Sequence, residues 1–200
     1  MTSLWMVVGL GNPGPTYART RHNVCYLVVD ELARRARVKL SSVPKMRAEV
    51  AETRIGPLGA GVPGPGSNRV ALVRPRTYMN ESGIPVGQLA AYYGIGADHV
   101  VAIHDELDLD LGQLRLKCGG GDNGHNGLRS MRAHLRTGDF HRVRFGIGRP
   151  PGRQPAADFV LSAFPASQRD VVAVEVARAA DAVETLISDG LTIAQNRYNS

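Results

Sequence analysis

The stretch WMVVGLGNPG, residues 5–14, decides the fold. Its apolar run has the length of a buried strand and stops at a Gly/Pro turn. Beyond that turn, HNVCYLVVDELARRA (residues 22–36) sets Val24, Leu27, Val28, Leu32 and Ala36 at helical spacing, with Asn23 as the expected N-cap. A buried strand that passes through a loop into a helix is the opening unit of an α/β sheet. The same alternation continues. Ala48 to Thr53 and Arg69 to Val73 read as strands, and the Gly/Pro-rich GPLGAGVPGPGSN between them (56–68) reads as an exposed hairpin loop rather than a domain boundary. Ile84 to Tyr93 reads as a helix ended near Gly94, HVVAIHDELD as a short strand, Gln113 to Lys117 as another, and GLRSMRAHL as the start of a basic helix. HRVRFGIGRP alternates as a strand, and Val171, Val174, Ala177, Val183 and Leu186 sustain a long helix over 167–188 that Gly190 stops. Strands alternating with helices predict an α/β sheet layered on both faces, within one domain over residues 1–200.

Composition narrows the function classes. No run approaches the roughly 20 apolar residues of a membrane helix, and the apolar stretch Leu4 to Leu10 has no basic residue ahead of it. A cytoplasmic, unprocessed protein is expected. Cys25 and Cys118 lie far apart with no metal-ligand spacing, so two reduced thiols are expected and no structural zinc. The net charge is +6, and the segment from Arg115 to Arg149 accounts for all of it, with eight basic residues against Asp122 and Asp139. A localised basic face suits a phosphate backbone, because each contact releases condensed counterions.

Gly9, Gly11 and Gly14 spell GxGxxG after a strand, the formal dinucleotide fingerprint. Asp30 and Glu31, however, fall inside the helical pattern rather than at the end of a second strand. Pro13 also lacks the backbone N–H that would face pyrophosphate. The better reading is a tight turn that brings Asn12 to the sheet edge, with no cofactor.

In open α/β sheets, ligands bind beyond the carboxyl ends of the strands. The polar residues expected there are Asn12, His22, Asn80, Asp105 and Asn126. Asparagines offer neutral donors and acceptors but no nucleophile. A carboxylate that accepts from one imidazole nitrogen fixes the tautomer and raises the basicity of the other, so His22 with Asp105 can activate water without a covalent intermediate. Bland readings stand beside this one. His104, His125 and His141 compete for the role of base, the asparagines can be plain turn formers, and Asp105, Glu106, Asp108 and Asp110 can suggest a metal. Alternate residues of a strand face apart, which argues against the metal. No GxSxG is present, so the serine-hydrolase route is absent.

With these residues in view, the chain resembles the bacterial peptidyl-tRNA hydrolase family. The matching motifs are VVGLGNPGPTYARTRHNVCYLVVDELA, RPRTYMNESG, HDELDLDLG, GGGDNGHNGLRS, FHRVRFGIGRP and DGLTIAQNRYN, in family order over nearly the whole chain. The resemblance implies one α/β domain with a twisted mixed sheet, hydrolysis of peptidyl-tRNA, no cofactor, and a monomer that receives the tRNA acceptor stem on a basic face. It places the catalytic histidine at His22, its partner at Asp105 and the substrate-binding asparagines at Asn12, Asn80 and Asn126. Peptide-groove positions fall on Tyr17 and Met79, and tRNA-binding cations on Arg115, Lys117 and Arg144. Which of Asn80 and Asn12 faces the oxyanion stays open, with Asn126 positioning peptide or water. Asp122 and Asn123 depart from the histidine and glycine of some members, which bears on loop mobility, and the 56–68 loop looks longer than usual. A non-catalytic RNA-binding protein and a small-ester carboxylesterase are the competing classes. The first would have lost His22, and the second has no use for a basic face.

Overall fold

The computed structural model describes residues 3–199. Eight strands form one sheet: β1 (Leu4–Gly9), β2 (Ser41–Val43), β3 (Ala48–Gly56), β4 (Gly59–Ala60), β5 (Asn68–Pro75), β6 (Val100–Glu106), β7 (Leu114–Cys118) and β8 (His141–Gly146). Their order is β2-β3-β5-β1-β6-β8-β7, with β4 paired to β3. Strands β5, β1, β6 and β8 run parallel, while β2, β3 and β7 pair antiparallel with their neighbours, so the sheet is mixed as expected.

Helices cover both faces. α1 (Val24–Ala36), α5 (Arg169–Asp189) and α6 (Leu191–Tyr198) lie on one side, and α2 (Gly83–Tyr93) and α3 (Asn126–Leu135) on the other. The central strands are apolar on both faces because each face meets a helix layer. Val7, Leu72 and Ile103 point into the first core, and Met6, Val8, Val73 and Ala102 into the second. A Cβ on Gly9 would lie 2.4 Å from the Cys25 carbonyl oxygen, so this glycine of the GxGxxG serves close packing of α1 on β1. Asp30 and Glu31 sit within α1, as the helical pattern requires. None of the described helices is long and apolar enough to cross a membrane.

Several expectations need correction. Asn23 occupies the N-cap position of α1 as expected, but its side chain makes no capping bond and holds the backbone of Asn12 instead. Leu27 is 43% exposed, and on α5 Val171 and Val174 are 44% and 64% exposed. The buried face of α5 runs instead through Val172, Ala179, Ala180, Val183 and Leu186. Within the 56–68 loop, Gly59–Ala60 adds a short strand and Ala60 is buried, its N–H donating to Glu184. Two helices have no counterpart in the sequence reading: α4 (Ala156–Val160) and α6. Asn199 beyond α6 treats Leu116 as a neighbouring strand would, accepting from its N–H at 2.6 Å and donating to its carbonyl at 3.1 Å. The open edge of β7 is thereby covered.

Candidate active site and its basic approach

The four parallel strands end on the same side, and the candidate residues gather there. The turn after β1 carries Asn12, the 3-10 turn Arg21–Asn23 before α1 carries His22, the turn Met79–Glu81 after β5 carries Asn80, β6 ends with Asp105, and α3 begins with Asn126. Asn12, Tyr17, His22, Met79, Asn80 and Asn126 border one groove of about 660 Å³, and Ala157, Val160 and Leu161 of the α4 region form its far wall. Asp105 is buried behind His22.

His22 Nδ1 lies 2.7 Å from Asp105 Oδ2. A carboxylate only accepts, so Nδ1 carries the proton, and Nε2, with no hydrogen bond among the described residues, presents its lone pair to the groove. Burial alone would lower the pKa of His22, but the Asp105 charge and hydrogen bond outweigh it and the net shift is upward. Burial likewise pushes Asp105 up, while His22 and His125 together hold it well below the ordinary carboxylate range.

His125, a rival base on sequence grounds, turns out to be a second partner of the same carboxylate. Its Nε2 lies 2.8 Å from Asp105 Oδ1, so both oxygens of the buried carboxylate are engaged. Its Nδ1 accepts from the N–H groups of Gly127 and Leu128 as the N-cap of α3. The remaining rivals face elsewhere. His104 is fully buried and held neutral, its pKa lowered to about 3 chiefly by burial, and His141 stacks near Trp5 on the Asp98 carbonyl.

Asn12 is held rigidly. Asn23 bonds both its N–H and its carbonyl, and Asn12 Oδ1 accepts from Met79 N–H at 2.7 Å. That bond fixes the amide orientation and leaves Asn12 Nδ2 as the free donor at the groove. The Tyr26 hydroxyl donates to the Pro75 carbonyl with the Gly11 carbonyl 3.2 Å away, which ties the β1 and β5 turns together. Asn80 and Asn126 are exposed on the groove rim.

His22, Asp105 and His125 place ligand atoms within 4.8 Å of one another. A metal on His125 Nε2 would move the proton to Nδ1, where it would meet the two N–H groups of α3, so this trio is better matched to hydrogen bonding than to a cation. Two of the other acidic residues of this stretch are engaged. Glu106 accepts from Asn123 and faces Arg144 at 3.3 Å, and Asp108 accepts from Asn123 and Arg149.

A second hollow lies beside α3, lined by Lys117, Arg142 and Arg144, while Arg115, paired with Arg144 across β7 and β8, lies outside its lining. Arg115 is exposed, Arg144 and Lys117 are half-buried, and burial followed by the charges of Arg144 and Arg142 lowers the pKa of Lys117. Arg142 corrects the tally of available cations. It is 1% exposed and donates to the carbonyls of Gly120, Gly121 and Gly138, anchoring the glycine loop. A smaller pocket of about 210 Å³ joins groove and hollow, sharing His22 and Asn126 with one and Glu106 and Asn123 with the other. Asp122 and Asn123 pin the loop, since Asp122 faces Arg129 and Arg132 while Asn123 bridges Glu106 and Asp108.

The model of the peptidyl-tRNA hydrolase family matches residues 6–200. The chain belongs to that family. A peptidyl-tRNA hydrolase of Cutibacterium acnes is 60% identical over the whole of both chains, and that of Streptomyces avermitilis is 55% identical over 98% of this chain and 94% of its own. Among solved structures, the peptidyl-tRNA hydrolase of Acinetobacter baumannii has a TM-score of 0.85 at 34% identity, covering 100% of this chain and 96% of that one. The expected family and α/β fold class therefore hold.

Proposed function

We propose that the chain hydrolyses the ester between peptide and tRNA in peptidyl-tRNA by activating water at His22, with no metal and no covalent intermediate. The single observation that carries this is the His22–Asp105 hydrogen bond of 2.7 Å at a groove edged by three asparagines. His22 Nε2 takes a proton from a water beside the ester carbonyl, and the imidazolium formed is balanced by the buried Asp105. Asn12 Nδ2, whose orientation is fixed by Met79 N–H, is the pre-set donor for the oxyanion. Asn80 and Asn126 on the rim hold the peptide or the water, and Tyr17 and Met79 line the peptide side. The proton then passes to the ribose oxygen that leaves.

The tRNA acceptor stem approaches across the basic hollow, with Arg115, Lys117 and Arg144 on phosphates, and the connecting pocket leads from there to His22. On this reading the chain acts as a monomer of a single 1–200 domain. The substrate supports a cytoplasmic site of action. The test is release of labelled peptide from N-acyl-aminoacyl-tRNA by the purified protein with EDTA present. Cleavage that resists the chelator and weakens with salt is expected, whereas loss of cleavage on chelation contradicts the metal-free reading.

A further inference from the structure

Asp105 faces two imidazoles, but only His22 has a role in the reaction proposed above. His125 is bound at both nitrogens. Gly127 and Leu128 N–H groups donate to Nδ1 at 3.1 and 3.3 Å, so Nδ1 is unprotonated and the proton sits on Nε2, 2.8 Å from Asp105 Oδ1. Charging His125 would put a proton on Nδ1 against two backbone N–H groups and strip α3 of its cap.

We propose that His125 is a positioning residue for the hydrolysis: fixed as the Nε2-protonated tautomer by the first turn of α3, it donates a permanent second hydrogen bond to Asp105. This orients the carboxylate and limits how tightly it holds the proton of His22. The proposal rests on His22 being the base. A carboxylate with one donor fewer is a stronger acceptor for the other, so loss of the His125 bond makes His22 harder to deprotonate.

The other ionisable groups around the trio leave this partition to His125. His104 on β6 stacks on His125 at 5.3 Å between centroids and is held neutral by burial. Cys25 on α1 is kept as a thiol, its pKa raised by burial and by Asp105. Glu106 is matched by Arg144, and Asp108 by Arg149. In the groove, Arg129 faces Asp122, and His134 Nδ1 pairs with the Ser130 carbonyl.

Two substitutions separate the two ends of the ring. In His125→Asn, Oδ1 takes the place of Nδ1 and keeps the cap, but nothing reaches Asp105. In His125→Gln, Nε2 takes the place of the ring Nε2 and keeps the Asp105 bond, while the cap is lost. The readouts are the 15N titration of His22 and the acid limb of kcat/KM. In His125→Asn both are expected to move up by about 0.5–1 pH unit, which makes kcat/KM about three- to tenfold lower well below the limb and largely restores it at high pH. His125→Gln is expected to titrate as the wild type does and to melt at lower temperature. An unmoved His22 titration in His125→Asn, or an equal shift in both variants, overturns the proposal.

The wild-type protein supplies a check that needs no variant to fold. The 15N imidazole spectrum of the neutral His125 ring should show the Nε2–H tautomer, and an Nδ1–H tautomer contradicts the proposal. If wild type lacks esterase activity while His125 shows the expected tautomer, it is the reading of His22 as base that fails.

Discussion

Asn23 holds the backbone of Asn12 from both sides: the Asn12 N–H donates to Asn23 Oδ1 at 2.9 Å, and Asn23 Nδ2 donates to the Asn12 carbonyl at 2.8 Å. Both residues are buried, so neither bond is readily replaced by water. The residue next to His22 thus fixes Asn12, the proposed donor to the oxyanion.

Asn23→Ala leaves two buried backbone groups unsatisfied, each costing about 1–3 kcal/mol. The expected outcome is a lower melting temperature together with a fall in kcat of about 10- to 100-fold in the fraction that stays folded, because a displaced Asn12 misses the oxyanion. Thermal melts and steady-state kinetics on the same preparation check both halves. Full kcat in a destabilised variant would make Asn23 a purely structural residue.

Hydrolysis by this route has a definite pH sense. The base form of His22 is the neutral one, and its pKa is raised from 6.5 because Asp105 outweighs the burial that opposes it. Activity should therefore rise with pH along a limb centred above 6.5. In Asp105→Asn the opposing burial acts alone, so the limb should move to lower pH while the maximal rate falls. A wild-type limb below 6.5 would show that the ion pair does not govern the titration.

The basic residues divide into two kinds that experiment can separate. Lys117→Ala should weaken tRNA binding and flatten its log-log salt dependence by about 0.7–0.9 for each phosphate left without its cation, with little change in melting temperature. Arg142→Met should do the reverse, since its guanidinium serves three backbone carbonyls inside the protein. The expected stability loss is about 3 kcal/mol or more, with the salt dependence retained in the folded fraction.

Much of this is legible from residue patterns. The strand–turn–helix opening, the apolar runs and the polar residues at strand ends are enough to gather Asn12, His22, Asn80 and Asp105 at one edge, because the period of an element and its stop signals are local. The phase of α5 departs from its apolar pattern for a physical reason. It packs through alanines such as Ala179, Ala180 and Ala182, whose small side chains let the helix approach the sheet, while larger Val171 and Val174 face solvent. Apolar size points to the wrong face. The role of His125 is hidden in the sequence because its partner lies 20 positions away and its cap is visible only once α3 is built. Likewise, Arg142 counts as one charge in a sequence, and only the fold turns it inward.

His104 gives the protein an acid sensitivity of its own. Its pKa falls from 6.5 to about 3 on folding, so the unfolded chain binds a proton that the native state refuses. Its contribution to stability is complete above pH 6.5 and is lost as the pH drops toward about 3. His104→Asn, which keeps a donor for the Asp105 carbonyl, should reduce the pH slope of unfolding free energy in that window by up to about 1.4 kcal/mol per unit. Denaturant unfolding at several pH values measures the difference, and parallel curves for the two proteins would show His104 to be protonated in the native state.

The most direct test of the central claim is single-turnover cleavage of N-acyl-aminoacyl-tRNA by His22→Ala, with tRNA binding measured on the same sample. The account predicts unchanged binding and a cleavage rate lower by about 10²–10⁴-fold on the plateau above the wild-type limb, with the acid limb gone. Cleavage at the wild-type rate, or a slowed reaction that keeps the same limb, would contradict His22 as the base.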